Sequence, residues 1–220
     1  MQGFHLKRFP IVIRYGLPIT AMGLVIFLSN LLVHYPVAVV FGSVDLSDWL
    51  TWGAFTYPVA FLITDSTNRL FGPGYARQLV YVGFALGVLL TLTDALVTAA
   101  ARANVVSATV LEALFNDPDA RSMLRVAIGS GTAFLIAQLI DVHIFDRLRR
   151  ENWWKAPVAS SFAGSLVDTA LFFSIAFAGT GLPWIGWGLG DFCAKLLMMG
   201  LLLYPFRLLT GFADRPVRAT

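Results

Sequence analysis

Charge, cysteine and histidine are all scarce in this chain. Of its 220 residues, 13% are charged, three are histidine and one is cysteine. A soluble domain carries about 25% charged residues. The deficit removes the polar coat that a water-exposed fold of this size needs. With Cys193 alone, no intrachain disulfide can form, and its place in an apolar run says nothing about redox compartment. His5, His34 and His143 are too scattered to share a metal. There is no Gly-x-x-x-x-Gly-Lys-Ser/Thr loop, no His-Glu-x-x-His motif and no Gly-x-Ser-x-Gly elbow. Nothing pairs a nucleophile with a base, so neither catalysis nor a cofactor is expected.

What the chain has in excess is apolar surface. Hydrophobic residues make up 57% of it and the mean hydropathy is +0.72. That surface is too large for one soluble core, so lipid is the expected solvent for much of it. Spanning a bilayer takes about 20 mostly apolar residues in a helix, and only helices or closed barrels satisfy the backbone there. The apolar runs are continuous, without the alternation of a barrel strand. The fold class expected is therefore all-α, a single membrane domain over residues 1–220 with six transmembrane helices. Their approximate ranges are 15–33, 52–71, 79–101, 124–145, 157–178 and 185–206, with a kink at Pro58. The first run begins near Ile11 without a small-residue cleavage site, so no removable signal peptide is expected.

The sequence pI of 9.2 does not indicate nucleic acid, because the basic residues sit in short flanks between apolar runs. Lys7, Arg8, Arg14, Arg69, Arg77, Arg147, Arg149, Arg150, Lys155, Arg207, Arg215 and Arg218 fall on one side. Arg102, Arg121 and Arg125 fall on the other, and Lys195 is intramembrane. The bias predicts that both termini are cytoplasmic. The first external loop is acidic, with Asp45 and Asp48, and the connection over 102–121 has room for a short interfacial helix. All six tryptophans lie near expected helix ends, as an aromatic belt would.

Several acids interrupt the apolar runs: Asp65, Asp94, Asp141, Asp168 and Asp191, with Lys195 among them. An unpaired charge at mid-membrane costs about 2.5–3.5 kcal/mol on insertion scales. These groups must therefore face a protein interior or a wet cavity, as a polar lock between helices or as a path for a solute and protons. Asp65, Asn68 and Arg69 share one helical face at i, i+3 and i+4. They fit either a self-neutralised helix end or the polar wall of a solute site. Asp191 and Lys195, at i and i+4, can pair within one helix. Gly186, Gly188 and Gly190 precede Asp191, which fits either a flexible helix beside a site or close helix packing. Two octets resemble each other: Gln138 to Phe145, with Asp141, and Ser165 to Phe172, with Asp168. On oppositely directed helices they have the form of a weak inverted repeat. Asp168 is the most central acid, whereas Asp94 has no charged or amide residue at i+4 and ranks lower.

At these residues the sequence resembles the queuosine-precursor transporters of the vitamin uptake transporter family. The resemblance lies in TWGAFTYPVAFLITDSTNRLFG (Thr51 to Gly72), AQLIDVHIFDRLR (Ala137 to Arg149), Trp153-Trp154, LVDTALFFSIAF (Leu166 to Phe177) and DFCAKLL (Asp191 to Leu197). It implies six helices with internal termini in a bacterial inner membrane. The implied substrates are 7-cyano-7-deazaguanine and 7-aminomethyl-7-deazaguanine, which feed tRNA queuosine. A guanine-like ring offers two N–H donors to a carboxylate such as Asp168 or Asp65. Its carbonyl suits Lys195, Arg69, Asn68 or Gln138, and Phe172, Phe55 or Phe192 could stack on its face. Asp141 and Asp191 complete the candidate binding set. Any of these acids other than Asp94 could also carry a proton. The partners expected are thus the small solute and the lipid bilayer, without nucleic acid, and a homodimer suits so small a bundle. Two other readings stay open: a substrate-binding membrane subunit of an ATP-driven vitamin or nucleobase importer, and a non-transport scaffold or intramembrane enzyme.

Overall fold

The computed structural model describes residue 10 and residues 12–32, 35–42, 44–103 and 118–211. His5, His34, Lys7, Arg8, Arg215, Arg218 and the 104–117 stretch of the long external connection lie outside the described residues. So do the side chains of Asp48, Asp94, Arg102 and Arg121.

A π-helical turn, Val12–Gly16, leads into α1 (Leu17–Leu32). Met22 and Ile26, four residues apart, bury one stripe of α1, while Leu24, Phe27, Leu28 and Leu31 face outward. In water that outer face would be a liability; in lipid it is the ordinary solvent contact. A small antiparallel hairpin follows, β1 (Val40–Phe41) and β2 (Val44–Asp45), which pairs Val40 with Asp45. Its tight link carries Gly42 at φ +61°, which a Cβ would strain. The Asp45 carboxylate accepts the Ser47 N–H at 2.9 Å. That bond and the Ser47 hydroxyl hold its pKa below the usual carboxylate value.

The expected second helix is broken. It consists of α2 (Gly53–Thr56) and α3 (Val59–Phe71), separated at Tyr57-Pro58. Proline has no N–H to give the helix ladder, and its ring crowds the preceding turn. α3 stops at Gly72, whose φ of +96° suits a residue without a side chain. Pro73 then opens α4 (Pro73–Ala103), where a missing N–H costs nothing. Helix α4 therefore starts ahead of the expected residue 79. The last three helices are α5 (Pro118–Leu148), α6 (Lys155–Phe177) and α7 (Trp184–Thr210). Gly179 and Gly181, both at positive φ, turn the chain between α6 and α7.

Among the described residues, five helical stretches are long and apolar enough to cross a membrane: Val12–Ser29, Pro73–Thr93, Leu124–Leu148, Lys155–Phe177 and Trp184–Thr210. α3, with 13 residues, is too short to be one of them, and it is also sheltered from lipid. Thr64, Asp65, Ser66, Thr67 and Asn68 are consecutive and all buried, so this polar turn is covered all round. It packs against α1, α4, α5 and α7. A helix enclosed by protein does not need an apolar surface.

Two apolar clusters flank that polar turn. Met22, Ile26, Ala60, Leu79, Val80, Phe134 and Val142 join α1, α3, α4 and α5. Phe145, Ala156 and Phe206 join α5, α6 and α7, with Leu62 and Trp153 beside them. α5 and α6 share the most extensive helix contact. Gly129 admits the α6 backbone at Phe172 and Ala176. At the end of α6, Arg125 of α5 donates to the carbonyls of Ile175 (2.6 Å) and Ala178 (2.5 Å). These are last-turn carbonyls with no partner inside their own helix.

Candidate functional site

Helix breakage at Tyr57-Pro58 places the Tyr57 ring at the centre of the bundle, where it meets the first buried charge cluster. Tyr57 donates its hydroxyl to Asp168 Oδ1 at 3.1 Å. The other Asp168 oxygen takes Lys195 Nζ at 2.7 Å. Lys195 also donates to Asp191 Oδ2 at 2.5 Å and to Thr169 Oγ1 at 3.1 Å. Thr169 in turn donates to the same Asp191 oxygen at 2.8 Å. An ammonium has three N–H donors, and here all three are used. Its charge also lies 5.5 Å from the Tyr57 ring centroid, within the range of a cation–π contact. The cluster thus ties α6 to α7 and to the α2–α3 break.

A second cluster lies deeper in the bundle and holds no cation. Asp65 on α3 accepts Ser160 Oγ at 3.1 Å on one oxygen and Ser161 Oγ at 3.3 Å on the other. The Asp141 carboxyl of α5 adjoins the Asp65 carboxyl, with Ser160 the other polar group beside it. Asp141 is 0% exposed, and neither of its oxygens has a hydrogen-bond donor among the described residues. Asn68 donates its amide to the Val142 carbonyl at 3.1 Å, which binds α3 to α5 beside Asp141. Its own Oδ1 is unpartnered, and so are both amide atoms of the fully buried Gln138. Two like charges about 4 Å apart repel by about 4 kcal/mol at an effective dielectric of 20. A carboxyl pair without a cation is therefore expensive to keep.

Both clusters border one narrow open cleft. Asp65, Ser161, Ser165 and Lys195 supply its polar wall, and Phe61 and Phe206 supply aromatic surface. The structure thus brings Asp65 and Lys195 to one cleft, with Asp168 and Asp191 behind Lys195 and Asp141 behind Asp65. Asn68 and Gln138 are buried near the acid pair. Arg69 points elsewhere: it donates to the Arg149 carbonyl, while Arg149 donates to the Arg69 carbonyl at 3.3 Å. Phe172 belongs to an aromatic group with Phe173 and Phe177 at the far end of α6. Phe192 packs on Phe162, and Phe55 lies beside Trp52. His143 is exposed on α5.

Five polar residues of these clusters and the cleft, Tyr57, Ser160, Ser161, Ser165 and Thr169, were not singled out from sequence as binding groups. The signal available for the serines was their recurrence on one face of α6: Ser161, Ser165 and Asp168 follow at i, i+4 and i+7. The glycines before Asp191 are also explained. A Cβ on Gly186 would lie 2.7 Å from the Trp49 ring, and one on Gly190 would lie 3.2 Å from the Trp49 carbonyl. Gly188 faces Phe173. α7 is unbroken there, and its small residues serve close packing.

The sequence-family comparison matches residues 51–217 to the model described as "Putative vitamin uptake transporter". The "Queuosine precursor transporter" of Escherichia coli (strain K12) is 34% identical over 188 residues, which cover 83% of this chain and 79% of that protein. The "Probable queuosine precursor transporter" of Haemophilus influenzae is 34% identical over 171 residues, covering 73% of this chain and 67% of that protein. A Bacillus subtilis protein of the same description is 33% identical over 137 residues, covering 59% of this chain and 57% of that protein. No solved structure matches the chain. With its apolar helices, this similarity identifies a multi-pass protein of the bacterial inner membrane. The chain belongs to the vitamin uptake transporter family, and it shares most of its length with the queuosine precursor transporter of Escherichia coli.

Proposed function

We propose that this chain imports queuosine precursors, 7-cyano-7-deazaguanine and 7-aminomethyl-7-deazaguanine, across the inner membrane. The observation that carries the reading is the cleft that Asp65 and Lys195 both line. Asp65 accepts the N–H edge of the guanine-like ring, through lone pairs not used by Ser160 and Ser161. Lys195 serves the ring carbonyl by exchanging one of its three partners for the solute. Phe61 and Phe206 offer apolar contact to a flat ring. The names of the relatives support the same solute class.

In this reading the whole chain is one membrane domain with six crossings and cytoplasmic termini. α2 and α3 together make the second crossing, inside the bundle and shielded from lipid. The chain works as a transporter and performs no chemistry on its solute. It carries the solute without an ATPase partner, alone or as a homodimer.

The direct test is rescue of tRNA queuosine in cells that cannot make the precursor. Expression of this chain should restore the modification when either deazaguanine is supplied; failure with both would overturn the solute assignment. Uptake into proteoliposomes holding only this chain separates a self-sufficient transporter from an ATP-driven subunit. Solute recovered chemically unchanged separates transport from catalysis. Asp65→Ala should weaken uptake affinity by about tenfold or more, the loss expected for hydrogen bonds to a charged acceptor. An unchanged affinity would remove Asp65 from the binding site.

A further inference from the structure

The triad around Lys195 is saturated, whereas the Asp65–Asp141 pair is not. Among the described side chains on the elements packed around that pair, the cations are engaged or exposed. Arg207 lies over the Trp153 ring, Arg125 is bonded at the end of α6, and Arg147 is exposed. On α7, Lys195 is held by Asp168 and Asp191. On α3, Arg69 is bonded to the Arg149 carbonyl at the helix end. On α5, Arg149 takes Asp146 at 3.4 Å, and His143 is exposed. At the start of α6, Lys155 takes Glu151 at 3.3 Å. On α4, Arg77 is exposed and bonded to the Pro73 carbonyl. No cation is left among these groups to balance two adjoining carboxylates in a site with almost no solvent contact.

Geometry divides the two acids. Asp65 receives two hydroxyl donors and reaches the cleft. Asp141 stands behind it, with Ser160 and the Asp65 carboxyl beside it, and two adjoining carboxyls bond to each other when one of them is protonated. A second observation points the same way. Gln138, three residues before Asp141 on the same helical face, is 0% exposed with both amide atoms unpartnered. Asn68, three residues after Asp65, is equally buried and leaves Oδ1 unpartnered. Polar atoms of that kind beside a carboxyl pair suit a group that gains and loses a proton, because both can bond to either state. Buried acids inside transmembrane bundles serve as proton relays in pumps and transporters.

We propose that Asp65 and Asp141 together hold one exchangeable proton, and that solute movement through the adjacent cleft is coupled to it. Asp65 belongs to both tasks, since it borders the cleft and contacts the pair. Solute arriving at Asp65 requires the carboxylate that Asp141 is bonded to, so occupancy of the cleft and protonation of the pair cannot be independent. Asp141 is the coupling residue, and it acts through Asp65 without touching the solute.

The inference rests on the solute class proposed above, and the test separates the two. Wild-type protein and D141N are reconstituted alone in liposomes, with neutral 7-cyano-7-deazaguanine as the probe and the membrane potential clamped. Exchange of labelled for unlabelled solute reports solute handling; accumulation under an imposed pH gradient reports coupling. With one proton per solute, a gradient of one pH unit supports about tenfold accumulation. Wild-type protein should exchange solute and reach that accumulation. D141N should lose accumulation far more than exchange, and Asp141→Glu, which keeps a carboxyl, should recover it.

Exchange without any response to the gradient would overturn the coupling and leave the solute reading intact. Absence of exchange in wild-type protein would overturn the solute reading and the coupling with it. Equal loss of exchange and accumulation in folded D141N would make Asp141 a solute contact, which also overturns the proposal. Infrared spectra of the wild-type protein give a check that does not depend on a folded variant: they should contain a protonated-carboxyl band, and its absence would refute the shared proton.

Discussion

Two buried polar clusters sit a few residues apart in this bundle, and they are built on opposite principles. Around Lys195 every donor has an acceptor, and one cation bridges the carboxylates of Asp168 and Asp191 on two helices. Around Asp65 and Asp141 there are two acids, two serine hydroxyls and unpartnered amide atoms, with no cation. That first cluster, around Lys195, resists change because removing its cation leaves two buried carboxylates without a counter-charge. An unsaturated one has spare capacity, and capacity is what a binding or coupling site needs. In the proposed reading, stability rests on Asp168 and Asp191, and solute handling on Asp65 and Asp141.

The largest effect should come from breaking the saturated side. Lys195→Ala leaves Asp168 and Asp191 without their cation, and the cost expected for stripping a buried pair is about 3–5 kcal/mol. Thermal unfolding of the detergent-purified protein should show it as a large drop in Tm. The contrast sharpens with two matched amides. Asp168→Asn removes one of the carboxylates of Lys195 and weakens the Tyr57 bond, for about 2–3 kcal/mol. Asp141→Asn replaces an undonated acid with a donor facing Asp65, and stability should change by about 1 kcal/mol or less. Equal destabilisation by the two amides would erase the distinction drawn between the clusters.

A smaller effect tests the packing that separates the clusters. Gly164 of α6 faces the Phe61 ring, and a Cβ there would lie 2.6 Å from it. Gly164→Ala should push the ring aside and cost about 1–3 kcal/mol as overpacking; replacing Phe61 by Leu in the same protein should recover part of it. The smallest effect belongs to Asp45, the same residue type in water. Its carboxyl is held low by Ser47, so its contribution is present above the ordinary carboxylate pKa and fades as pH falls through the lowered folded-state value. Asp45→Asn should leave stability at neutral pH slightly reduced and remove that part of the acid dependence, measurable as Tm against pH.

Much of this was legible from spacing alone. Asp191 and Lys195 pair at i and i+4 as their positions implied. Asp65 and Asn68 share a buried face of α3. The break at Pro58 was visible as a proline in an apolar run, although the sequence suggested a kink and the structure has two separate helices. Other features were not legible. The partner of Asp168 lies 27 residues away on the next helix, and the hydroxyl that bonds it belongs to Tyr57, 111 residues earlier. Arg69 looked like a site residue because its helical face was right, yet its long side chain reaches the end of α5. Phe172 shared a helix with Asp168 but faces the aromatic group at the other end of α6.

Composition and periodicity by themselves settled that this chain is helical and lives in lipid, because apolar surface of that extent has no other solvent. They also located the acids, since an ionisable residue in an apolar run stands out in one dimension. Which acid meets a cation and which meets another acid was decided only by the tertiary structure. Charge pairing between helices depends on which faces pack together, and no local spacing records that.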